Sequence, residues 1–246
     1  MSGAEIPEFQ RIEQFAINAK IELQSGTRVG GSDDLLGIGT VDLTCIKNPV
    51  TRQPYLPGSS LKGKMRSELE KQMGRFGGED SSQPCGCGKC VICRVFGPHF
   101  NLKHSLGPSR LIVRDALLLS GGEIETKTEN IIDRKRGTAL HPRQVERVVP
   151  GSVFSFQVVV NVLEMDRACK YEGATGGAAL YKLVRHGMYL LEETGVGSGT
   201  SKGYGRIKFV DVQPRRNFSL EQKDKDGRTI VPAKPLPSFE DEINGL

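Results

Sequence analysis

"GGAALYKLVRHGMYLLEETGVGSGTSKGYGRIKFVDV", residues 176–212, changes its hydrophobic period partway along. Up to Glu193, the residues Leu180, Val184, Met188 and Leu191 recur at the spacing of one face of an α-helix. From Gly205 to Val212 apolar and polar residues alternate, as in a half-buried strand. Between them runs a loop rich in glycine from Gly195 to Gly205, which carries Lys202, Tyr204 and Arg206. The unit is helix, open loop, strand.

The same periods extend upstream. "SVFSFQVVVNVL" (152–163) and "RLIVRDALLL" (110–119) are β-branched and aromatic runs too short or too alternating for amphipathic helices. "SSLKGKMRSELEKQM" (59–73) repeats Leu61, Met65, Leu69 and Met73 every four residues, after a proline and serines able to cap, and predicts a helix. "QFAINAKIEL" (14–23) alternates Phe15, Ile17, Ala19, Ile21 and Leu23 and predicts the first strand. The order β-α-β, β-α-β is that of an α+β, ferredoxin-like (RRM-like) βαββαβ palm, with an antiparallel four-stranded sheet and both helices on one face. Residues 24–58, 74–109, 120–151 and 194–204 then become insertions or long loops, which in a compact domain are usually functional. One domain over 1–213 is expected, with a loosely packed extension at 214–246.

Composition sets wide bounds. The 246 residues carry 34 Lys+Arg against 29 Asp+Glu, a net charge of +5 that permits a polyanionic partner without requiring one. Nowhere do eighteen apolar residues run together and the N-terminus lacks an apolar signal core, so no membrane partner and a cytoplasmic location are expected. In a reducing compartment cysteines rarely pair, so "PCGCGKCVIC", which spaces Cys85, Cys87, Cys90 and Cys93 as C-x-C-x2-C-x2-C, points to a metal. Four thiolates can wrap one tetrahedral Zn²⁺, a closed and therefore structural site; three cysteines with His99 or His104 are the alternative. No G-x-S-x-G, Walker or H-E-x-x-H pattern is present, and the four histidines have no local partner pattern.

Basic residues cluster in three places. Lys62, Lys64 and Arg66 lie close to the start of the 59–73 helix, where free amides favour anions. "IIDRKRGTALHPRQVERVV" (131–149) gathers Arg134, Lys135, Arg136, Arg143 and Arg147 on what reads as a strand, an exposed turn and a returning strand. The glycine-rich loop adds Lys202 and Arg206; "KGYGRIKF" approaches the RNA-recognition signature but has Arg206 at a stacking position, so a backbone clamp is the reading. In "VGGSDDLLGIGT" (29–40), Asp33 and Asp34 stand between glycines, either as a plain turn or as the best candidate chemistry in the chain.

"GGSDD", "PYLPGSSLKGKMRSELE", "RVFG", "NIIDR", "HPRQVERV" and "GSGTSKGYGRI", in this order and spacing, resemble the RAMP-superfamily backbone subunit of type III-A CRISPR effector complexes, which cleaves target RNA. The resemblance covers roughly residues 15 to 212. It implies several copies stacked in a helical filament along the CRISPR RNA, beside other subunits including the large polymerase-like one. It gives the nucleolytic role to Asp33, with Ser32 beside it on the RNA, and makes 131–149 a thumb-like β-hairpin arm that wedges into the guide–target duplex. Lys62, Lys64, Arg66, Lys202, Tyr204 and Arg206 match the guide-binding face. A carboxylate with an ordinary pKa near 3.9 is a poor base toward a ribose hydroxyl, so Asp33 is expected to hold a hydrated Mg²⁺ or similar ion while the 2′-OH attacks, leaving a 2′,3′-cyclic phosphate. A catalytically inactive architectural subunit and a repeat-processing nuclease of the same superfamily are the alternatives.

Overall fold

The computed structural model describes residues 8–30, 43–78 and 82–219. Ser32, Asp33 and Asp34 lie outside them. In chain order the elements are β1 (Arg11–Leu23), β2 (Tyr55–Leu56), α1 (Gly58–Met73), β3 (Phe76–Gly77), β4 (Gln83–Pro84), α2 (Val91–Phe96), β5 (Leu111–Val113), β6 (Ala116–Ser120), β7 (Ile124–Ile132), β8 (Ala139–Val148), β9 (Val153–Leu163), β10 (Lys170–Tyr171), β11 (Ala174–Thr175), α3 (Gly176–Thr194) and β12 (Ile207–Ser219). The fold is mixed α and β. Its main sheet runs β12-β1-β9-β6-β2 with β5 also on β9, and every pairing is antiparallel.

The alternating apolar residues of the central strands make one core with both long helices. Phe15, Ile17, Ile21 and Leu23 of β1 and Phe154, Phe156, Val158, Val160 and Val162 of β9 are buried with Leu61, Met65 and Leu69 of α1 and Leu180, Val184, Met188 and Leu191 of α3. Fully burying such a side chain contributes about 1.5–3 kcal/mol. The helices touch where Gly187 leaves no room for a β-carbon against Met65. The Phe15 ring meets Tyr181 edge-on at 5.3 Å.

Two elements differ from the periodic reading. The run 110–119 is two strands, broken at Arg114 and Asp115, because the Asp115 carboxylate turns away to accept the Gly58 N–H at 2.8 Å. That contact caps α1 from the break between β5 and β6, while Ser59 and Ser60 lie inside the helix instead of before it. Pro214, read as the start of an extension, lies inside β12 opposite Ile17. A proline is tolerated there because β12 is an edge strand, and the Arg216–Glu13 ion pair at 2.7 Å holds the strand beyond it.

Register places the insertions. Leu23 pairs with Ile207, Glu22 with Val153 and Ser120 with Val153, so the end of β1, the end of β6 and the starts of β9 and β12 share one end of the sheet. From that end leave the 24–58 segment, the β7–β8 hairpin and the glycine-rich loop. The cysteine segment instead enters β5 at Leu111, opposite Val160, and so opens toward the other end, where Arg11 pairs with Leu163.

That far end is held by a buried ion cluster. Arg110 and Asp166 are both fully buried; Arg110 Nε and Nη2 donate to the two Asp166 oxygens at 2.8 and 3.0 Å, and Arg94 of α2 adds a third bond at 2.7 Å. The Leu163 amide completes the shell at 2.8 Å. Burial alone would raise the Asp166 pKa, but these donors outweigh it and hold the carboxyl below its ordinary value. Removing one member of a buried pair strands the others, so Asp166→Ala is expected to cost about 3–5 kcal/mol in urea unfolding. The Asp166 contribution is fully present above its unfolded pKa of about 3.9 and is lost as pH falls through the lower folded value. The stability gap between wild type and Asp166→Asn should therefore narrow below about pH 4.

Candidate nucleic-acid interface

The segment bearing Asp33 begins and ends on described residues. Gly30 bridges Cys45, and the Ile46 amide donates to Val29 O at 2.9 Å, which brings the two stems together. The second stem is tied to the hairpin: Leu43 bridges Val145, and the Glu146 amide donates to Leu43 O at 2.9 Å. Glu146 also accepts the Cys45 N–H at 3.0 Å and pairs with Lys47 at 3.2 Å. The first stem is tied to both the hairpin and the glycine-rich loop. Thr27 exchanges two backbone bonds with Val148, at 3.0 and 2.8 Å, while the Ser198 amide donates to Arg28 O at 2.8 Å and Arg28 Nη1 donates to Ser198 Oγ at 2.9 Å. Both flanks of 31–42 are thus tied to the arm base, and the first is tied to the glycine-rich loop as well.

The glycines of that loop serve packing first. A β-carbon on Gly197 would strike the Arg28 carbonyl, and one on Gly205 would strike the Val196 carbonyl. The loop is thereby folded onto the stem. Tyr204 is buried beneath it, 4% exposed, with its hydroxyl donating to Glu129 Oε1 at 2.7 Å and its ring in contact with Lys127 and Arg147 at 4.7 and 5.2 Å from the centroid. Arg143 donates to Glu129 Oε2 at 2.9 Å, and Lys202 lies 3.5 Å from the same oxygen. Hydrogen bonds from Tyr204 and Arg143, against a smaller opposing effect of burial, bring the Glu129 carboxyl down to about 2. It is ionised throughout the physiological range.

Other sequence candidates sit apart from this cluster. Arg134 and Arg136 are exposed on the turn joining β7 to β8, which Asp133 closes by accepting the amides of Lys135 and Arg136 at 2.8 and 3.1 Å. Exposed Ile131, Ile132 and Leu140 flank that turn. The Arg206 side chain is exposed and without an ion pair among the described residues. On α1, each candidate cation has a partner in the fold: Lys62 donates to Leu111 O at 2.8 Å, Lys64 pairs with Glu68 at 2.7 Å, and Arg66 pairs with Glu70 at 2.7 Å. Burial, and next the charge of Arg66, lower the Lys62 pKa. The N-terminus of α1, with its anion-favouring amides, already faces the Asp115 carboxylate.

Arg66 also leads to the cysteines. Its Nη2 donates to Cys85 O at 2.7 Å while its partner Glu70 accepts the Cys85 N–H at 2.9 Å, so a partly buried ion pair on α1 fixes the start of the cysteine loop. The four sulfurs of Cys85, Cys87, Cys90 and Cys93 all lie within 4.8 Å of one another, with separations of 3.7, 3.8 and 3.9 Å for three of the pairs. Tetrahedral coordination with a metal–sulfur bond of about 2.3 Å sets sulfurs about 3.8 Å apart, so the group could hold an ion such as zinc. Against burial, the amides of Cys90 and Lys89 on its sulfur bring Cys87 down to about 6. His104 Nδ1 is occupied in accepting the Leu106 amide at 3.2 Å and the His99 ring packs on Phe100, so the convergent set is the four cysteines.

Glu129, Glu146 and Arg28 had no motif to announce them, because their roles arise from contacts between segments far apart in the chain. The RAMP superfamily model matches residues 20–208. The CRISPR system Cms endoribonuclease Csm3 of Methanocaldococcus jannaschii is 41% identical over 245 residues, covering 92% of this chain and 92% of that protein. Csm3 of Streptococcus thermophilus is 35% identical over 210 residues, covering 82% and 89%. A chain of the Csm3–Csm4 subcomplex in the type III-A CRISPR-Cas interference complex superposes with a TM-score of 0.54 at 31% identity, over 84% of this chain and 81% of that one. The chain belongs to the RAMP superfamily and, within it, to the Csm3 family of type III-A CRISPR subunits.

Proposed function

We propose that this chain is a CRISPR RNA-binding backbone subunit of a type III-A interference complex and an endoribonuclease that cuts guide-complementary target RNA at regular intervals. The observation that carries the reading is the pinning of both flanks of 31–42 to the arm base, and of the first flank to the glycine-rich loop as well. The two ends of a carboxylate-bearing segment are thereby anchored beside basic elements. The names of its relatives, endoribonucleases of CRISPR systems, agree with that chemistry. Further copies of the chain stack along the guide beside the other subunits of the complex, in the cytoplasm. The sheet order, with two long helices packed together, supports reading the palm as ferredoxin-like.

Asp33 carries the nuclease activity. One or two carboxylates beside phosphate oxygens are the donor set that a hydrated Mg²⁺ takes, and "SDD" offers that set. Such an ion, when bound, neutralises charge on the scissile phosphate. The protein's own part is to orient the RNA: the β7–β8 arm splays the duplex and lets the 2′-OH line up with the adjacent phosphate, which an A-form helix prevents. Arg134, Arg136, Arg143, Lys202 and Arg206 bind the backbone, as do Lys62, Lys64 and Arg66 where guide phosphates compete for them. The cysteine cluster holds structural Zn²⁺, a reading supported by its sulfur spacing and by its place at the end of the sheet away from the arm.

Two outcomes are expected. Asp33→Ala should abolish cutting of a complementary target in Mg²⁺ while assembly and target binding persist, and Asp34→Ala should have a smaller effect; gel analysis of end-labelled target checks both, and full cutting by the Asp33→Ala complex contradicts the assignment. Metal analysis should find one zinc per chain, and Cys87→Ser or Cys90→Ser should lower folded yield before it alters cleavage. A well-folded preparation without zinc contradicts that role.

A further inference from the structure

We propose that Glu129 is a positioning residue that holds Arg143 and Lys202 together as a two-cation clamp on one RNA phosphodiester, anchored by Tyr204. The inference rests on the RNA-binding reading above and deepens it. Arg143 stands directly opposite Glu129 in the β7–β8 pairing, whereas Lys202 and Tyr204 reach the carboxylate from the glycine-rich loop. Both cations approach the same oxygen, at 2.9 and 3.5 Å. Two like charges that close repel, and the carboxylate between them is what makes the arrangement stable.

The division of labour follows from exposure. Tyr204 is 4% exposed and so held in place by the fold, and its hydroxyl fixes the Glu129 carboxylate. The Arg143 and Lys202 side chains are 44% and 59% exposed. A guanidinium has five N–H donors and an ammonium three, and Glu129 uses only part of each set. Both heads are partly open to a ligand, and a phosphodiester has two non-bridging oxygens to receive their remaining donors. The clamp is built on the same loop whose Ser198 accepts a hydrogen bond from Arg28, a residue of the stem that leads into 31–42.

A sharp test exists because plain electrostatics predicts the opposite sign. Glu129→Gln removes a negative charge near RNA, which by charge alone should tighten binding. The clamp predicts that binding weakens several-fold and that the salt dependence becomes shallower by about one unit of slope for each phosphate the protein no longer holds. Fluorescence anisotropy of the full-length chain would be measured against potassium chloride, with a labelled single-stranded guide-length RNA and with the guide–target duplex. Tyr204→Phe, which changes no charge, should also flatten the slope by releasing the anchor. Weakening with the single strand assigns the phosphate to the guide, and weakening confined to the duplex assigns it to the target. Unchanged or tighter binding by Glu129→Gln with an unchanged slope overturns the clamp. If circular dichroism shows that Glu129→Gln does not fold, Tyr204→Phe decides alone, and a wild-type slope overturns the clamp. Failure of the wild-type chain to bind either RNA overturns the RNA-binding reading itself, a result distinct from wild-type binding with no effect of the variants.

Discussion

Strand β1 is paired on both flanks along nearly its whole length, with β12 on one side and β9 on the other, and the antiparallel order around it decides where everything else goes. Antiparallel pairing brings the end of one strand beside the start of the next. Because β1 and β6 end where β9 and β12 begin, three segments far apart in sequence leave from the same rim. Their mutual contacts, Thr27 with Val148, Leu43 with Val145 and Arg28 with Ser198, then need only short reach. The cysteine segment enters at the opposite rim and is locked there by Arg66–Glu70 and by the Arg94–Arg110–Asp166 cluster. The topology thus separates a candidate metal site from the basic face.

Electrostatics at the basic rim is organised by carboxylates. Glu129 gathers two cations and a tyrosine, and Glu146 gathers a backbone amide and Lys47. A basic surface made only of Lys and Arg would be dispersed by its own repulsion. An embedded acid fixes where each positive charge points, and the pKa of about 2 at Glu129 keeps that acid charged. This explains why a net charge of only +5 is compatible with a focused basic face.

Much of the scaffold was legible in the sequence, because period is a local property. The 59–73 and 176–193 helices and the central strands follow from apolar spacing, and each agrees with the structure to within a few residues. What could not be read is what depends on distant partners. Asp115 looks like part of a strand until Gly58 is seen to need a cap. Lys62 and Arg66 look like a free basic face, yet one serves the Leu111 carbonyl and the other the cysteine loop. Tyr204 sits at an RNA-recognition-like position but is buried on Glu129, with no exposed ring face for a base in this arrangement. The cysteine cluster is the exception, since four thiols within nine residues carry their geometry with them.

If each subunit carries its own Asp33 on a segment pinned to its own arm and glycine-rich loop, each cut in a bound target belongs to one chain. The most direct test assembles complexes from mixtures of wild-type and Asp33→Ala chains and maps the cuts in a long complementary RNA. The expected result is that every cut loses intensity in proportion to the mutant fraction and none changes position. Loss of all cuts together at a small mutant fraction, or a shift in their positions, would mean that the active site is shared between subunits and would contradict this account.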